Sequence, residues 1–148
     1  DFYIKTRNLF KSYQMIEIIN LPKLKDSRGN LSFFENSNQI PFDIKRTYWI
    51  YDVPGGEQRG SHAFKKSHEF IIALSGSFDI VLNDGNKEEK YSLNRSYNGV
   101  YVPNLLWRKL ENFSTNSLAL IVSSISYDNN DYIRDFEEFK TIVNEVKK

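Results

Sequence analysis

Short apolar and aromatic runs, each closed by a cluster of turn-forming residues, constrain this chain more tightly than any other feature. They extend from Tyr13 to Leu21, Leu31 to Glu35, Ile44 to Asp52, Glu69 to Leu74, Phe78 to Leu82, Tyr91 to Leu93, Gly99 to Val102 and Leu118 to Ser124. The runs are rich in β-branched and aromatic residues, and turn signals recur about every 8–12 residues, the pattern of an all-β sandwich or barrel. The breaks include Asp26-Ser27-Arg28-Gly29-Asn30, Pro54-Gly55-Gly56, Ser75-Gly76-Ser77 and the hairpin signal Asn83-Asp84-Gly85. Only the C-terminus changes period. From Asp131 to Lys148, Ile133, Phe136, Phe139, Val143 and Val146 recur at helical spacing, which predicts one amphipathic helix over 131–148 packed on the barrel. Residues 1–12 read as an N-terminal arm of uncertain order. A chain of 148 residues has room for a single domain, 1–148, so one fold carries the whole function.

Composition narrows the chemistry. The absence of Cys removes disulfides, a thiolate nucleophile and Cys-ligated zinc or iron–sulfur clusters. A net charge of +1, from 20 Lys+Arg against 19 Asp+Glu, does not suggest a nucleic-acid partner. No stretch approaches the roughly 18 apolar residues of a membrane span, and the N-terminus has no charged-then-apolar leader, so a soluble, cytoplasmic protein without a membrane partner is expected. The aromatic content of 15% means that flat side chains line a core, a ligand pocket or both. Tyr48, Tyr101 and Trp107 are the expected pocket-lining group, while Phe33, Phe34, Phe136 and Phe139 are expected to pack.

Between Gly56 and Asn112 the spacing of His62, Phe64, Glu69, Gly76, Pro103 and Arg108 resembles the two motifs of the cupin superfamily. Their usual form supplies two His spaced one apart, a Glu and a later His. Positions two apart on a strand face one side, so residues 62 and 64 would both point into a barrel. Here Phe64 and Arg108 stand where two of the His would be. A phenyl ring has no lone pair and guanidinium no acceptor, so no metal is expected.

A closer resemblance covers nearly the whole chain. Asp26-Ser27-Arg28-Gly29, the stretch from Ile44 to Ile50, Arg59-Gly60-Ser61-His62-Ala63-Phe64-Lys65, Ser75-Gly76-Ser77, Tyr101-Val102-Pro103 with Trp107, and Asp131-Tyr132-Ile133-Arg134 together resemble the dTDP-sugar 3,4-ketoisomerases. The resemblance implies a cupin-type antiparallel β-barrel, jelly-roll-like, with one C-terminal helix and no cofactor or metal. It implies isomerisation of a dTDP-linked keto-deoxyhexose, dTDP-4-keto-6-deoxyglucose, by moving its carbonyl from C4 to C3. It also implies a homodimer with exchanged N-terminal strands.

Such a reaction needs a base near neutrality, and His62 matches the family's catalytic His. The family's second His helps handle protons at the sugar oxygens, and Phe64 departs from it. Tyr48 or a water carries that proton instead, or His62 works alone, or the chain only binds a nucleotide sugar. Arg46, Arg59 and Lys65 suit the pyrophosphate, since cations, Arg above all, form charge-assisted bonds to phosphate oxygens. Arg28 and Arg108 match positions near the sugar associated with product configuration, and their combination is mixed between the galacto and gluco patterns. Glu69 reads equally as a site or a structural residue, His68 as a rim residue, and Arg134 with Asp131 as a helix-end pair. The alternatives are a non-catalytic nucleotide-sugar-binding cupin and a dTDP-sugar 3,5-epimerase-like enzyme.

Overall fold

The computed structural model describes residues 5–10 and 14–148, with side chains from Ile16 onward. Two antiparallel sheets face one another. In spatial order the six-stranded sheet comprises β1 (Lys5–Phe10), β2 (Gln14–Asn20), β10 (Asn98–Val102), β7 (Glu69–Ser75), β12 (Leu118–Ser123) and β5 (Arg46–Tyr51). The five-stranded sheet comprises β13 (Tyr132–Ile133), β6 (Arg59–Phe64), β11 (Trp107–Glu111), β8 (Phe78–Asn83) and β9 (Glu88–Leu93). A small hairpin joins β3 (Lys23–Leu24) to β4 (Leu31–Ser32).

Strand alternation assigns the inner face. Ile71 and Ala73 of β7, Val100 and Val102 of β10, and Ala119 and Ile121 of β12 meet Phe78, Ile80 and Leu82 of β8 and Leu110 of β11 in one buried cluster. The other face of the large sheet is covered as well. There Phe70, Ile72 and Val122 pack with Ile19, Leu21 and Ile40, and with Phe34, Phe42 and Ile44 from the segment between β4 and β5. Burial on both faces explains why β7 reads Phe-Ile-Ile-Ala-Leu without polar alternation.

The helix is shorter than the periodicity over 131–148 predicts. It begins at α1 (Phe136–Val146), where the Asp135 carboxylate accepts from the Glu138 amide as N-cap. Asp131 is occupied elsewhere, its carboxylate accepting from the amides of Lys66 (2.7 Å) and Ser67 (3.1 Å). Tyr132 and Ile133 pair with Phe64 and Ala63 as an extra strand. Ile133 matches the helical period because it enters the same buried cluster as Phe139, Val143 and Ala63. Burying Phe139 and Val143 contributes about 1.5–3 kcal/mol each, enough to hold an eleven-residue helix that would be marginal alone.

Within the expected arm, residues 5–10 form β1, paired antiparallel with β2. The rest of the arm, 1–4 and 11–12, and Tyr13 at the start of the first apolar run lie outside the described residues. Leu31 to Glu35 yields a strand only over Leu31–Ser32. β11 escaped the pattern reading because Arg108 occupies an inward position where an apolar residue would signal a strand.

Candidate active site

At one end of the barrel polar side chains replace the apolar interior. Tyr48 of β5, His62 of β6, Glu69 of β7 and Arg108 of β11 all point inward, with His62 directly across from Arg108 and Glu69 between Val102 and Ser123. A register shift in β6 sets this arrangement, placing Arg59 opposite Leu110 and His62 opposite Arg108. Gly60 makes the bulge possible. Its φ is +70°, and a Cβ there would lie 2.6 Å from Arg108 Nη1 and 3.7 Å from His62 Nε2.

Arg108, Glu69 and Tyr48 form a closed triad. Arg108 is 1% exposed, and its Nη2 lies 2.7 Å from Glu69 Oε1, a close ion pair rather than an aligned hydrogen bond. The same Nη2 donates to the Tyr48 hydroxyl at 2.8 Å, and that hydroxyl donates a very short bond to Glu69 Oε2. Burial opposes the guanidinium charge, but Glu69 and Tyr48 outweigh it and hold the group above its usual range. Burial, reinforced by Glu69 against the opposing pull of Arg108, pushes the Tyr48 phenol well up. Its proton is thus committed to Glu69. Arg108 Nε and Nη1 have no hydrogen-bond partner.

His62 stands beside the triad. Its ring meets Phe64 edge-on at 4.8 Å and Tyr132 at 5.0 Å, and its Nδ1 has no partner. Burial, then the charges of Arg108, Arg134 and Arg46, push the imidazole down to about 2, so the ring is neutral. Arg46 lies over the rings of Tyr48 (4.4 Å) and Tyr127 (4.9 Å) and donates to the Tyr132 hydroxyl at 3.2 Å. Arg134 covers the Tyr132 ring at 4.2 Å and bonds Asn129, not the expected Asp131.

The structure thus gathers His62, Tyr48, Glu69, Arg108 and Arg46 of the expected site residues. Arg59 and Lys65 are exposed at the two ends of β6. Trp107 lies on the face of β11 away from Arg108, against Phe136 and Phe139 at 5.3 and 5.7 Å. Tyr101 faces away from inward Val100 and Val102 and bonds His68 Nδ1 at 2.6 Å. Neither shares a face with the inward groups; their aromatic character signalled packing as readily as a pocket. Arg28 is 88% exposed on a loop, forked onto Asp26 at 2.8 and 2.9 Å. Sequence reasoning missed Tyr132 as a site residue by assigning it to the helix. Its Asp-Tyr-Ile-Arg segment was the available signal.

These residues do not fit a metal. Arg108 already sets a cation against Glu69, which leaves His62 without a second ligand on its face, since Phe64 offers none. The sequence model of the family described as FdtA: WxcM-like, C-terminal, matches residues 14–144. The chain belongs to this family. Its relatives include a TDP-4-oxo-6-deoxy-alpha-D-glucose-3,4-oxoisomerase of Aneurinibacillus thermoaerophilus, 38% identical over 130 residues, with 88% of this chain and 94% of that protein covered. A mutant of the 3,4-ketoisomerase QdtA from Thermoanaerobacterium thermosaccharolyticum, in complex with TDP-4-keto-6-deoxyglucose, superimposes with a TM-score of 0.86 at 33% identity, over 88% of this chain and 94% of that one. A dTDP-4-dehydrorhamnose 3,5-epimerase from Bacillus anthracis shares only the fold, with a TM-score of 0.70 at 15% identity over 79% of this chain and 76% of that one. The chain therefore has the cupin-type barrel and sits with the 3,4-ketoisomerases rather than with the epimerases.

Proposed function

We propose that the chain is a 3,4-ketoisomerase that converts dTDP-4-keto-6-deoxyglucose into its 3-keto isomer. The observation that carries this reading is a neutral, partly buried His62 set directly across from the buried Arg108, with Arg46 and Arg134 as further cations acting on it. A neutral imidazole can accept the C3 proton. The bound pyrophosphate then offsets the repulsion of Arg46, Arg108 and Arg134, so the imidazolium becomes affordable only with substrate present. Arg108, buried opposite His62, sets a fixed positive charge beside the base, which favours the negative charge of an enediolate. Tyr48 and Glu69 hold that guanidinium in place, which makes them positioning residues for the sugar. Arg59, exposed at the start of β6, takes the pyrophosphate, while Arg46 is engaged with the Tyr132 hydroxyl and Lys65 lies at the other end of the strand.

The molecule works as a homodimer, and exchange of its N-terminal strands would re-form on a partner the pairings that β1 and β2 make here within one chain. Trp49 (57% exposed), Tyr51 (61%) and Leu74 (42%) join Leu118 and Leu120 around an open cavity of about 510 Å³, an apolar surface that a second copy would cover. Arg28, exposed on the loop between β3 and β4, reaches a sugar bound in that second copy.

The decisive experiment incubates the protein with dTDP-4-keto-6-deoxyglucose in deuterium oxide, with and without His62→Ala, and follows the sugar protons by NMR. A 3-keto sugar with exchange confined to C3 and C4, and loss of turnover by about 10²–10⁴-fold in His62→Ala, is expected. Exchange at C5 would instead assign a 3,5-epimerase. Tight nucleotide binding without turnover would leave only a binding protein, the reading that Phe64 favours.

A further inference from the structure

Resting on the isomerase reading, we propose that the Tyr132 hydroxyl carries the proton between the two sugar oxygens. The reaction needs a second proton carrier besides the base at carbon, able both to give and to take a proton. Of the groups around His62, Phe64 has no titratable atom and Arg108 donates only. Glu69 is tied to Arg108 and Tyr48, and the Tyr48 proton is committed to Glu69. Tyr132 differs from all of these. Its ring packs edge-on against both His62 (5.0 Å) and Phe64 (4.7 Å), and its oxygen accepts from Arg46 Nη1 at 3.2 Å. The proton of that hydroxyl remains available, and the guanidinium beside the oxygen stabilises the phenolate left when it departs.

The steps balance. His62 takes the C3 proton, the C–H electron pair forms the C3–C4 double bond, and the former carbonyl oxygen at C4 takes the Tyr132 proton. The resulting phenolate then takes the proton of the C3 hydroxyl. The C3 carbonyl forms as the double-bond pair collects the His62 proton at C4, and both side chains return to their starting states.

The test compares wild type, Tyr132→Phe, Phe64→His and the double variant in turnover of dTDP-4-keto-6-deoxyglucose, with TDP binding measured beside it. Tyr132→Phe is expected to lower kcat at least about a hundredfold while KM and TDP affinity stay within about twofold. Phe64→His in that background, which sets an imidazole 4.8 Å from His62 where the phenyl ring stood, is expected to restore about tenfold or more. A kcat within about threefold of wild type in Tyr132→Phe, or a loss that Phe64→His leaves untouched, would overturn the assignment. Should Tyr132→Phe fail to fold, fluorotyrosine at position 132 replaces it: the altered phenol changes kcat at least about threefold with TDP affinity unchanged if Tyr132 is the carrier, and a kcat equal to wild type overturns it. Absence of a 3-keto product in wild type would instead bring down the isomerase reading, and this inference with it.

Discussion

His62 combines two demands that conflict in most proteins, being buried enough to stay neutral and open enough to meet a substrate. Its folded value of about 2 lies below the ordinary 6.5, so between these limits the unfolded chain binds more protons than the folded one. The stability it contributes is therefore complete above about pH 6.5 and is lost as pH falls through that window. Denaturant titrations of wild type against His62→Gln are expected to converge as pH drops from about 7 to about 5, with wild type losing about 1–2 kcal/mol more. Parallel curves would show that the imidazole is not held neutral. At this scale the residue types were legible at positions 62, 64, 69 and 108. That Arg108 neutralises Glu69, and that Tyr48 closes the triad, was not, because those contacts join separate strands.

Among the elements, β6 matters most, since its bulge turns His62 toward Arg108. Gly60→Ala tests it directly. An added Cβ meets Arg108 Nη1 at 2.6 Å and must adopt a φ of +70°, so a loss of about 1–3 kcal/mol is expected in thermal or denaturant unfolding. Unchanged stability would show that the strand can run without its bulge. The pattern reading found most strands because apolar runs and turns are local signals. It overextended the helix to 131–148 since Ile133 of β13 and Phe139 of α1 enter one buried cluster and so mimic a single helical stripe. It passed over β11 for the opposite reason, a charged residue pointing inward.

For the molecule as a whole, the exposed Trp49, Tyr51 and Leu74 are the feature a lone barrel does not explain. Trp49→Lys combined with Leu74→Lys is expected to convert a species of twice the 17.4 kDa chain mass into one of that mass in sedimentation. A wild type already at single mass would remove the dimer proposal. No helix among the described residues is long and apolar enough to cross a membrane.

By itself the sequence determined the β class and the apolar faces of the strands, which follow from alternation and turn chemistry within a few residues of one another, while its motifs' resemblance to a known family singled out His62. Only the tertiary structure decided that β13 lies against β6, bringing Tyr132 to His62, and that Trp107 and Tyr101 face away from the inward polar groups. Those choices depend on which strands pair and which face a sheet buries, and a local pattern does not encode either.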